Sequence, residues 1–591
     1  MLNERRSALT AIFLISGIFL GYGLFANIPA LYKYTSQDLV RYHEDFWAGP
    51  NGVFLKKVVK GGRERLFYAK SFAYALFAAP FVRVFGPNGP AVFNGLMLFL
   101  LLLMGWNYFA LANSPGLALG KMATYIGASV AFLYALWMTP EFFNMFLVFT
   151  VLFLWRYKAE VRKSRAEAAQ AAGQAPVWTG RWKRFLLSGS SDYLAAAIAG
   201  LVVFSKPTNI VLTAPIFLSA LLVGKKFWKA VALGLVSLAV AAAFFAANKA
   251  WTGEWNYQGG MRKSFVYHFP MEKKDVTFDS APGRPMSTDG YTNRLKGTLG
   301  LLPYNMFWYI FGRFTGIMWY FFPAVLFFLA FLRGRKSLDA WLILAAAFGQ
   351  ILVYLVMMPD NYGGGGGSMA NRYFMNIYPM FLFLPALKMR KRELVWPWVM
   401  AAVFIAPILL SPMATTAQPA IHAKHFPYTL LPVELTLIND LPTNAEQSAF
   451  RQQWGMPYFQ DRFLYFLNDG YEKKQREENG WWTYGDKTAD MVLRTFFPVK
   501  EVIVHLLNNP RQDNEITVKL DGRTQRIVLQ PMAKGTLRFA VGNGFQISES
   551  HQYRFKVKAA KASIPFFESR TSDELRHLGV FFELELIPRT P

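Results

Sequence analysis

Long apolar runs recur through the first 411 residues of the chain and restrict what it can fold into. Most approach the ~20 residues that an α-helix needs to cross a bilayer, and a few are shorter. They lie near residues 8–27, 91–112, 121–138, 142–156, 193–205, 208–223, 228–248, 304–332, 339–358, 373–387 and 395–411. Charged residues make up only 17% of the chain, too little to cover a water-exposed surface of this size. The pattern predicts an α-helical polytopic membrane protein.

The loops between the runs carry most of the Lys and Arg residues, which orients the chain in the membrane. The basic loop 156–184 and the basic N-terminus are predicted to be cytoplasmic. Segment 67–86 carries Lys70, Pro80 and Arg83, and counting it as a span would move the 156–184 loop outside. We therefore predict that it is a juxtamembrane helix in the outer interface. About eleven transmembrane helices remain, with an uncleaved first helix, a cytoplasmic N-terminus and a C-terminus on the outer side.

The character of the chain changes after residue 411. Apolar runs give way to short alternating stretches such as EITVKL, QRIVLQ and YRFKVK, a period typical of antiparallel strands. We predict a membrane domain over 1–411, a linker of mixed structure over 412–489, and a mainly-β, sandwich-like domain over 490–591. The topology places this last domain on the outer side of the membrane.

Charge and cysteine content exclude several classes of function. The net charge of +26 lies mainly in loops that set the topology, and no basic groove interleaved with stacking aromatic residues is evident, so nucleic acid is not an expected partner. The chain contains no cysteine. Catalytic thiols, thiolate metal sites and disulfides are therefore excluded.

The first outer loop, YTSQDLVRYHEDFW, concentrates ionisable groups just after the first predicted helix. It contains Asp38, Tyr42, Glu44 and Asp45. A carboxylate beside apolar walls at a membrane surface can have a pKa suited to a general base. A simple solvated loop has the same composition, so the residues alone leave both interpretations open.

Several motifs of the chain resemble those of the membrane glycosyltransferases of the C-type fold (GT-C). This group includes the lipid A aminoarabinose transferases and the protein O-mannosyltransferases. The stretch DLVRY, beginning at Asp38, resembles the D-E-x-R-Y element of that family, and AKSFAYAL, which contains Lys70, falls where the family has E-K-P-P-L-x-Y-W. Glu141 occupies the place of a second acidic residue, and FSKPT, around Lys206, is similar to a lysine–proline break between two helices.

The resemblance implies an inverting transfer of a sugar from a polyprenyl-phosphate donor to a glycan, lipid or protein acceptor. Asp38 would be the general base, and the phosphate would meet cations near outer helix ends. The catalytic candidates are Asp38, Glu141, Glu44 and Asp45; the phosphate-binding candidates are Lys70, Lys206, Arg313 and Arg372; the substrate-binding candidates are Tyr42, His268, Asn371 and Tyr373. The implied location is a bacterial inner membrane, with the site on its periplasmic face and the C-terminal domain in the periplasm.

Two departures from the family pattern concern a metal cofactor. Leu39 and Ala69 stand where the family has acidic residues, and members that hold a metal use a glutamate of that kind. The resemblance therefore implies no certain cofactor and leaves a divalent metal as an open alternative.

Other interpretations stay open for three features. The glycine run 363–367 beside Arg372 is either an anion-binding nest or a flexible loop. Lys206 either binds phosphate or reaches toward lipid headgroups. Trp481 and Trp482 resemble an acceptor motif of oligosaccharyltransferases, but a buried aromatic anchor is the favoured interpretation. An oligosaccharyltransferase-like ligase and a lipid or sugar flippase or transporter are the competing functions.

Overall fold

A computed structural model describes most of the chain. The described residues are 2–26, 53–172, 181–257, 261–265, 275–280, 284–285, 295–334, 336–365, 369–385, 387–388, 391–411, 414–415, 421–438, 441, 451–453, 462–472, 480–509, 512–547, 549–568 and 572–589. They form two compact units. The first contains residues 1–295, 316–358 and 370–417, and the second contains residues 296–315, 359–369 and 418–591.

The first unit is mainly helical. Its helices are Leu2–Ala26, Ala73–Phe85, Gly89–Phe109, Pro115–Gly127, Ala131–Leu136, Pro140–Ala172, Arg181–Leu187, Ser190–Ser205, Ile210–Leu218, Phe227–Thr252, Ile317–Tyr320, Phe322–Arg333, Leu338–Met357, Phe374–Leu382, Val395–Phe404 and Ala406–Leu410. A π-helical turn, Ser219–Val223, extends the helix Ile210–Leu218.

Five apolar stretches among the described residues are long enough to cross a membrane. They are Glu4–Leu24, Ala73–Phe109, Pro140–Ser164, Phe227–Thr252 and Leu338–Met357. The pair Arg181–Leu187 and Ser190–Ser205, bent by 75°, gives a sixth if it is counted as one span. These helices are those of a membrane protein, but the eleven predicted spans are not shown.

The predicted apolar run 304–332 is not a single helix in the structure. It forms the separate helices Leu295–Phe311, Ile317–Tyr320 and Phe322–Arg333, so the prediction of a single helix is wrong. The backbone N–H groups of Phe314 and Thr315 donate to the Glu434 carboxylate at 2.9 and 2.7 Å. Because these donors are used outside the helical ladder, the helix ends before them.

The apolar stretch Ala73–Phe109 is two helices that fold back on each other. The Tyr74 hydroxyl donates to Asn94 Oδ1 at 3.2 Å, whereas twenty residues of straight helix would separate them by about 30 Å. Gly86 ends the first helix with φ +59°, a conformation that favours glycine. The stretch 67–86 thus forms its own helix, Ala73–Phe85, rather than part of one long span.

A small antiparallel sheet completes the first unit. It has the order β2-β1-β3-β4, with β1 Val53–Lys60, β2 Arg63–Tyr68, β3 Arg262–Phe265 and β4 Arg284–Pro285. In the register, Lys56 of β1 lies opposite Arg262 of β3. The sheet therefore joins two segments that are far apart in sequence, and the sequence did not predict it.

The second unit contains the helix Leu295–Phe311, apart from its first residue, and two antiparallel sheets. The strands are β5 Arg451–Gln453, β6 Arg462–Phe466, β7 Gly480–Tyr484, β8 Ala489–Thr495, β9 Val499–Asn508, β10 Asn514–Leu520, β11 Arg523–Leu529, β12 Lys534–Ala540, β13 Phe545–Ile547, β14 Ser550–Ala559 and β15 Leu578–Pro588. One sheet has the order β11-β10-β14-β8-β6-β5, with β13 on β14, and the other has the order β12-β9-β15-β7.

The two sheets enclose a hydrophobic core, as the predicted sandwich requires. Phe555 of β14 and Phe582 of β15 have ring centroids 5.8 Å apart across the sheets. Trp481 is 2% exposed and packs on Phe582 at 5.9 Å, which confirms the buried-anchor interpretation. The predicted boundary at residue 490 falls inside β8, because the segment 412–489 contributes β5, β6 and β7 to the sheets.

The topology can be tested with single cysteines because the chain has none of its own. Lys163→Cys and Lys534→Cys replace exposed side chains in the 156–184 loop and in β12. We expect a membrane-impermeant thiol reagent to label Lys534→Cys in intact spheroplasts, and Lys163→Cys only after the membrane is opened, because basic loops stay cytoplasmic. Labelling of both positions from the same side would contradict the predicted topology.

Candidate anion-binding site

Lys206 lies at a break between two helices of the first unit. The helix Ser190–Ser205 ends at Lys206, whose backbone is extended with φ −153° and ψ 103°, and a new helical turn begins at Pro207. Proline lacks an N–H donor and cannot continue the preceding helix. The Tyr257 hydroxyl donates to the Phe204 carbonyl at 2.8 Å. The lysine–proline motif thus forms the predicted break and presents Lys206 at a helix end.

Two stacked tyrosines hold the Lys206 ammonium group. Its Nζ lies 3.8 Å from the Tyr373 ring centroid and 5.1 Å from that of Tyr354. The two rings stack at 4.6 Å with an interplanar angle of 19°, and the Tyr354 and Thr208 hydroxyls are 3.1 Å apart. Cation–π contact with two rings fixes the ammonium group in place.

Arg372 lies beside the same aromatic pair and near an acidic residue. Its Cζ is 5.6 Å from the Tyr373 ring centroid, and its Nη1 is 3.7 Å from Glu141 Oε1. The helix Pro140–Ala172 places Glu141 in its first turn, where the helix dipole favours a negative charge. Asn371 Oδ1 accepts the Phe374 N–H at 3.1 Å, which fixes the backbone that carries Arg372.

Lys70 joins this group from the segment before the helix Ala73–Phe85. Its side chain is exposed to solvent, although protein atoms lie close enough to desolvate its ammonium group. Desolvation by those atoms, followed by the positive charges of Arg372 and Arg262, lowers the pKa of the Lys70 ammonium group to about 8. The charges of Glu141 and Lys206 also act on Lys70.

Arg262 is the member of the group that the sequence did not identify. It lies in β3, and its side chain is buried with 9% of its surface exposed. Nothing in its local sequence distinguishes it from other arginines between the apolar runs. The pairing of β3 with β1, and of β1 with β2, which ends two residues before Lys70, brings Arg262 near Lys70.

The arrangement is a cationic cluster, defined here as Lys70, Lys206, Arg262 and Arg372, with Glu141 beside it. Desolvation also lowers the pKa of Lys206 to about 8, and the charge of Arg372 adds to this effect. Four cations and one carboxylate in a partly desolvated space repel one another on balance. An anion with several oxygen atoms would relieve that repulsion, and the fork of Arg372 suits such an anion.

Arg313 has a different environment from the other predicted phosphate ligands. It belongs to the second unit, where it is fully buried. Its Nε donates to the Ala423 carbonyl at 2.6 Å, its Nη2 donates to the Leu467 carbonyl at 2.9 Å, and its Nη1 lies 3.3 Å from Asp490 Oδ2. These contacts occupy the guanidinium group within that unit, so we assign Arg313 a structural role and correct its prediction as a phosphate ligand.

The structure describes part of the predicted glycine run but not five of the predicted outer-loop residues. In the glycine run, Gly364 and Gly365 have φ +97° and +86°, values that favour glycine, and residues 366–368 lie outside the described part of the chain. The run is assigned to the second unit. Five predicted residues of the outer loops also lie outside the described residues: Asp38, Tyr42, Glu44, Asp45 and His268.

Comparison with known proteins does not identify a family for the chain. No protein-family model matches the chain, and no curated protein matches it. Among the described residues, no group of three or more His, Cys, Asp or Glu side chains is arranged to hold a metal ion.

Proposed function

We propose that the chain is a glycosyltransferase that uses a polyprenyl-phosphate sugar, and that the cationic cluster binds the phosphate of this donor. The observation that carries the proposal is the convergence of Lys70, Lys206 and Arg372. These residues come from distant segments, and each was expected at the phosphate. Lys206 and Arg372 contact the same Tyr373 ring, and the charges of both lower the pKa of Lys70. The same cluster includes Arg262.

The position of the cluster at helix ends suits a donor with a lipid tail. Lys206 follows the apolar helix Ser190–Ser205, and Arg372 precedes the helix Phe374–Leu382. A polyprenyl chain stays in the bilayer, so its phosphate has to be bound where apolar helices end. Cations at this boundary attract a phosphate more strongly than they would in water, because the dielectric constant is lower next to apolar helices.

The proposed reaction needs one base and one stabilised leaving group. The acceptor hydroxyl oxygen attacks the anomeric carbon while the bond between that carbon and the phosphate oxygen breaks, which inverts the anomeric centre. Asp38 takes the hydroxyl proton, with Glu141 as the alternative base. The polyprenyl phosphate leaves with the bonding electrons, and Arg372 and the lysines stabilise its new negative charge.

The protein would work at the periplasmic face of a bacterial inner membrane, on a glycan, lipid or protein acceptor. A flippase could use the same anion site, but it would move the lipid without cleaving the sugar. An oligosaccharyltransferase-like ligase would cleave a lipid-linked oligosaccharide instead. Incubating purified protein with a radiolabelled polyprenyl-phosphate monosaccharide and an envelope extract separates these functions, because only the proposed enzyme releases free polyprenyl phosphate from that donor.

Donor binding should depend on pH because two members of the cluster titrate near pH 8. The donor is a phosphodiester, whose charge stays constant over this range, and it binds the protonated lysines. Affinity for the donor should therefore be highest below pH 7 and fall as pH rises through about 8, where Lys70 and Lys206 lose their protons. Dissociation constants measured between pH 6.5 and 9.5 test this.

The control for the pH dependence is Lys206→Arg, since arginine stays charged throughout this range. We expect that variant to bind with a shallower pH dependence than the wild type. Affinity of the wild type that stays constant to pH 9.5 would contradict the role of the lysines.

A further inference from the structure

The second unit contains a cavity of about 400 Å³, lined in part by Asp490, the partner of Arg313. It lies between the segment 424–429, the loop 468–470, the loop 487–490 and β14. Its volume falls within the roughly 300–1,000 Å³ that is usual for small-molecule sites. Every residue that lines it belongs to the second unit.

Basic side chains dominate the lining of the cavity. Lys424, Lys487 and Lys556 face two carboxylates, Asp469 and Asp490. Asp490 is 3% exposed and is already paired with arginine, since Arg554 Nη2 lies 2.6 Å from its Oδ1. Arg313 pairs with its other oxygen, as described above. The lining therefore carries an excess of positive charge.

The lysines differ in how firmly they are held. Lys556 Nζ is 3.8 Å from Asp490 Oδ2, and burial lowers the pKa of its ammonium group. Lys424 Nζ is 3.9 Å from Asp469 Oδ1, and Lys487 Nζ lies 4.8 Å from the Tyr484 ring centroid. The Lys556 and Lys487 contacts are both longer than a short ion pair, so an entering anion could form shorter contacts with these two ammonium groups.

Hydrogen bonds join two segments of the cavity lining, and an exposed phenylalanine forms another part of it. Asn468 Nδ2 donates to the Thr488 carbonyl at 2.7 Å, and its Oδ1 accepts the Asp490 N–H at 3.0 Å. Phe426, which also lines the cavity, leaves 78% of its side chain exposed. An exposed ring in a lining that also carries lysines offers a flat apolar face to a ligand.

We propose that this cavity binds an anionic saccharide, with its phosphate or carboxylate on Lys487 and Lys556 and the apolar face of its ring against Phe426. An inorganic anion would bind the lysines but make no contact with Phe426, whereas a neutral sugar would pack on Phe426 without an ionic contact to the lysines. The proposal assigns the β region a binding role and does not depend on the transfer reaction, because all of its residues lie in the second unit.

The test uses the full chain in nanodiscs, with glucose 6-phosphate as the probe and calorimetry as the measurement. Glucose and inorganic phosphate are the comparison ligands. Lys487→Ala and Lys556→Ala should each weaken binding of glucose 6-phosphate about tenfold, as loss of a charged hydrogen bond requires. Phe426→Ala should weaken glucose 6-phosphate but leave inorganic phosphate unchanged.

Two controls keep the result specific. Lys534→Ala removes an exposed lysine from β12 of the same unit and should bind the probe like the wild type. Arg372→Ala impairs the proposed donor site, and unchanged probe binding in that variant would locate the site in the second unit even if the proposed transfer activity is absent. Wild-type affinity in both Lys487→Ala and Lys556→Ala, at unchanged melting temperature, would overturn the proposal. Equal affinity for glucose 6-phosphate and inorganic phosphate would overturn its saccharide part.

Discussion

Replacing Asp38 with asparagine is expected to lower the rate of sugar transfer at least about 100-fold. An asparagine side chain keeps the shape of aspartate but cannot take a proton from the acceptor hydroxyl. The donor phosphate is bound by the cationic cluster in our account, so donor affinity should stay close to that of the wild type. Turnover and donor binding, measured on the same purified variant in nanodiscs, separate loss of the base from loss of the site.

Two further substitutions control for the choice of base. Glu44→Gln and Asp45→Asn remove neighbouring carboxylates of the same loop and should have milder effects. Glu141→Gln tests the alternative base, which lies beside Arg372. If Asp38→Asn keeps more than about a tenth of the activity while Glu141→Gln loses it, the base is Glu141.

Removing the guanidinium group of Arg372 is expected to weaken donor binding by about 1.5–3 kcal/mol, which is about ten- to hundredfold. The group lies beside the Tyr373 ring and is only loosely paired with Glu141 at 3.7 Å. A phosphate oxygen could therefore approach it without breaking a short salt bridge. Donor affinity of Arg372→Ala in nanodiscs measures the effect.

The lysine variant distinguishes a phosphate fork from a headgroup anchor. Arg372→Lys should recover only part of the affinity, because a point charge cannot make two parallel hydrogen bonds to phosphate. Arg333→Ala removes an exposed arginine from the end of another helix of the first unit and should bind normally. Full recovery with lysine would contradict the fork at Arg372.

The sequence predicted the structure correctly where one short local pattern determines it. The proline after Lys206 predicted a helix break, and the alternating stretches after residue 490 predicted strands; both are confirmed. The resemblance also selected Lys70, Lys206 and Arg372 as one group, and the structure brings them together. For the helix break and the strands, the residues that determine the structure lie within a few positions of one another.

Predictions failed where distant parts of the chain decide the local structure. The run 304–332 looks like one apolar helix, but the Glu434 carboxylate accepts backbone N–H groups at its centre. Arg313 was predicted to bind phosphate, but in the structure its guanidinium group pairs with Asp490 of β8. Arg262 joins the cluster through a strand pairing that has no signature in its own segment. Such contacts cannot be deduced from periodicity or composition.

We propose that the cationic cluster holds the phosphate of a lipid-linked sugar. Native mass spectrometry of the protein in nanodiscs with a polyprenyl-phosphate sugar can detect this complex. We expect a one-to-one donor complex for the wild type and for Arg333→Ala, and its loss in the variant that combines Lys70→Ala, Lys206→Ala and Arg372→Ala. An equally abundant complex in the triple variant, with its fold intact, would contradict the claim.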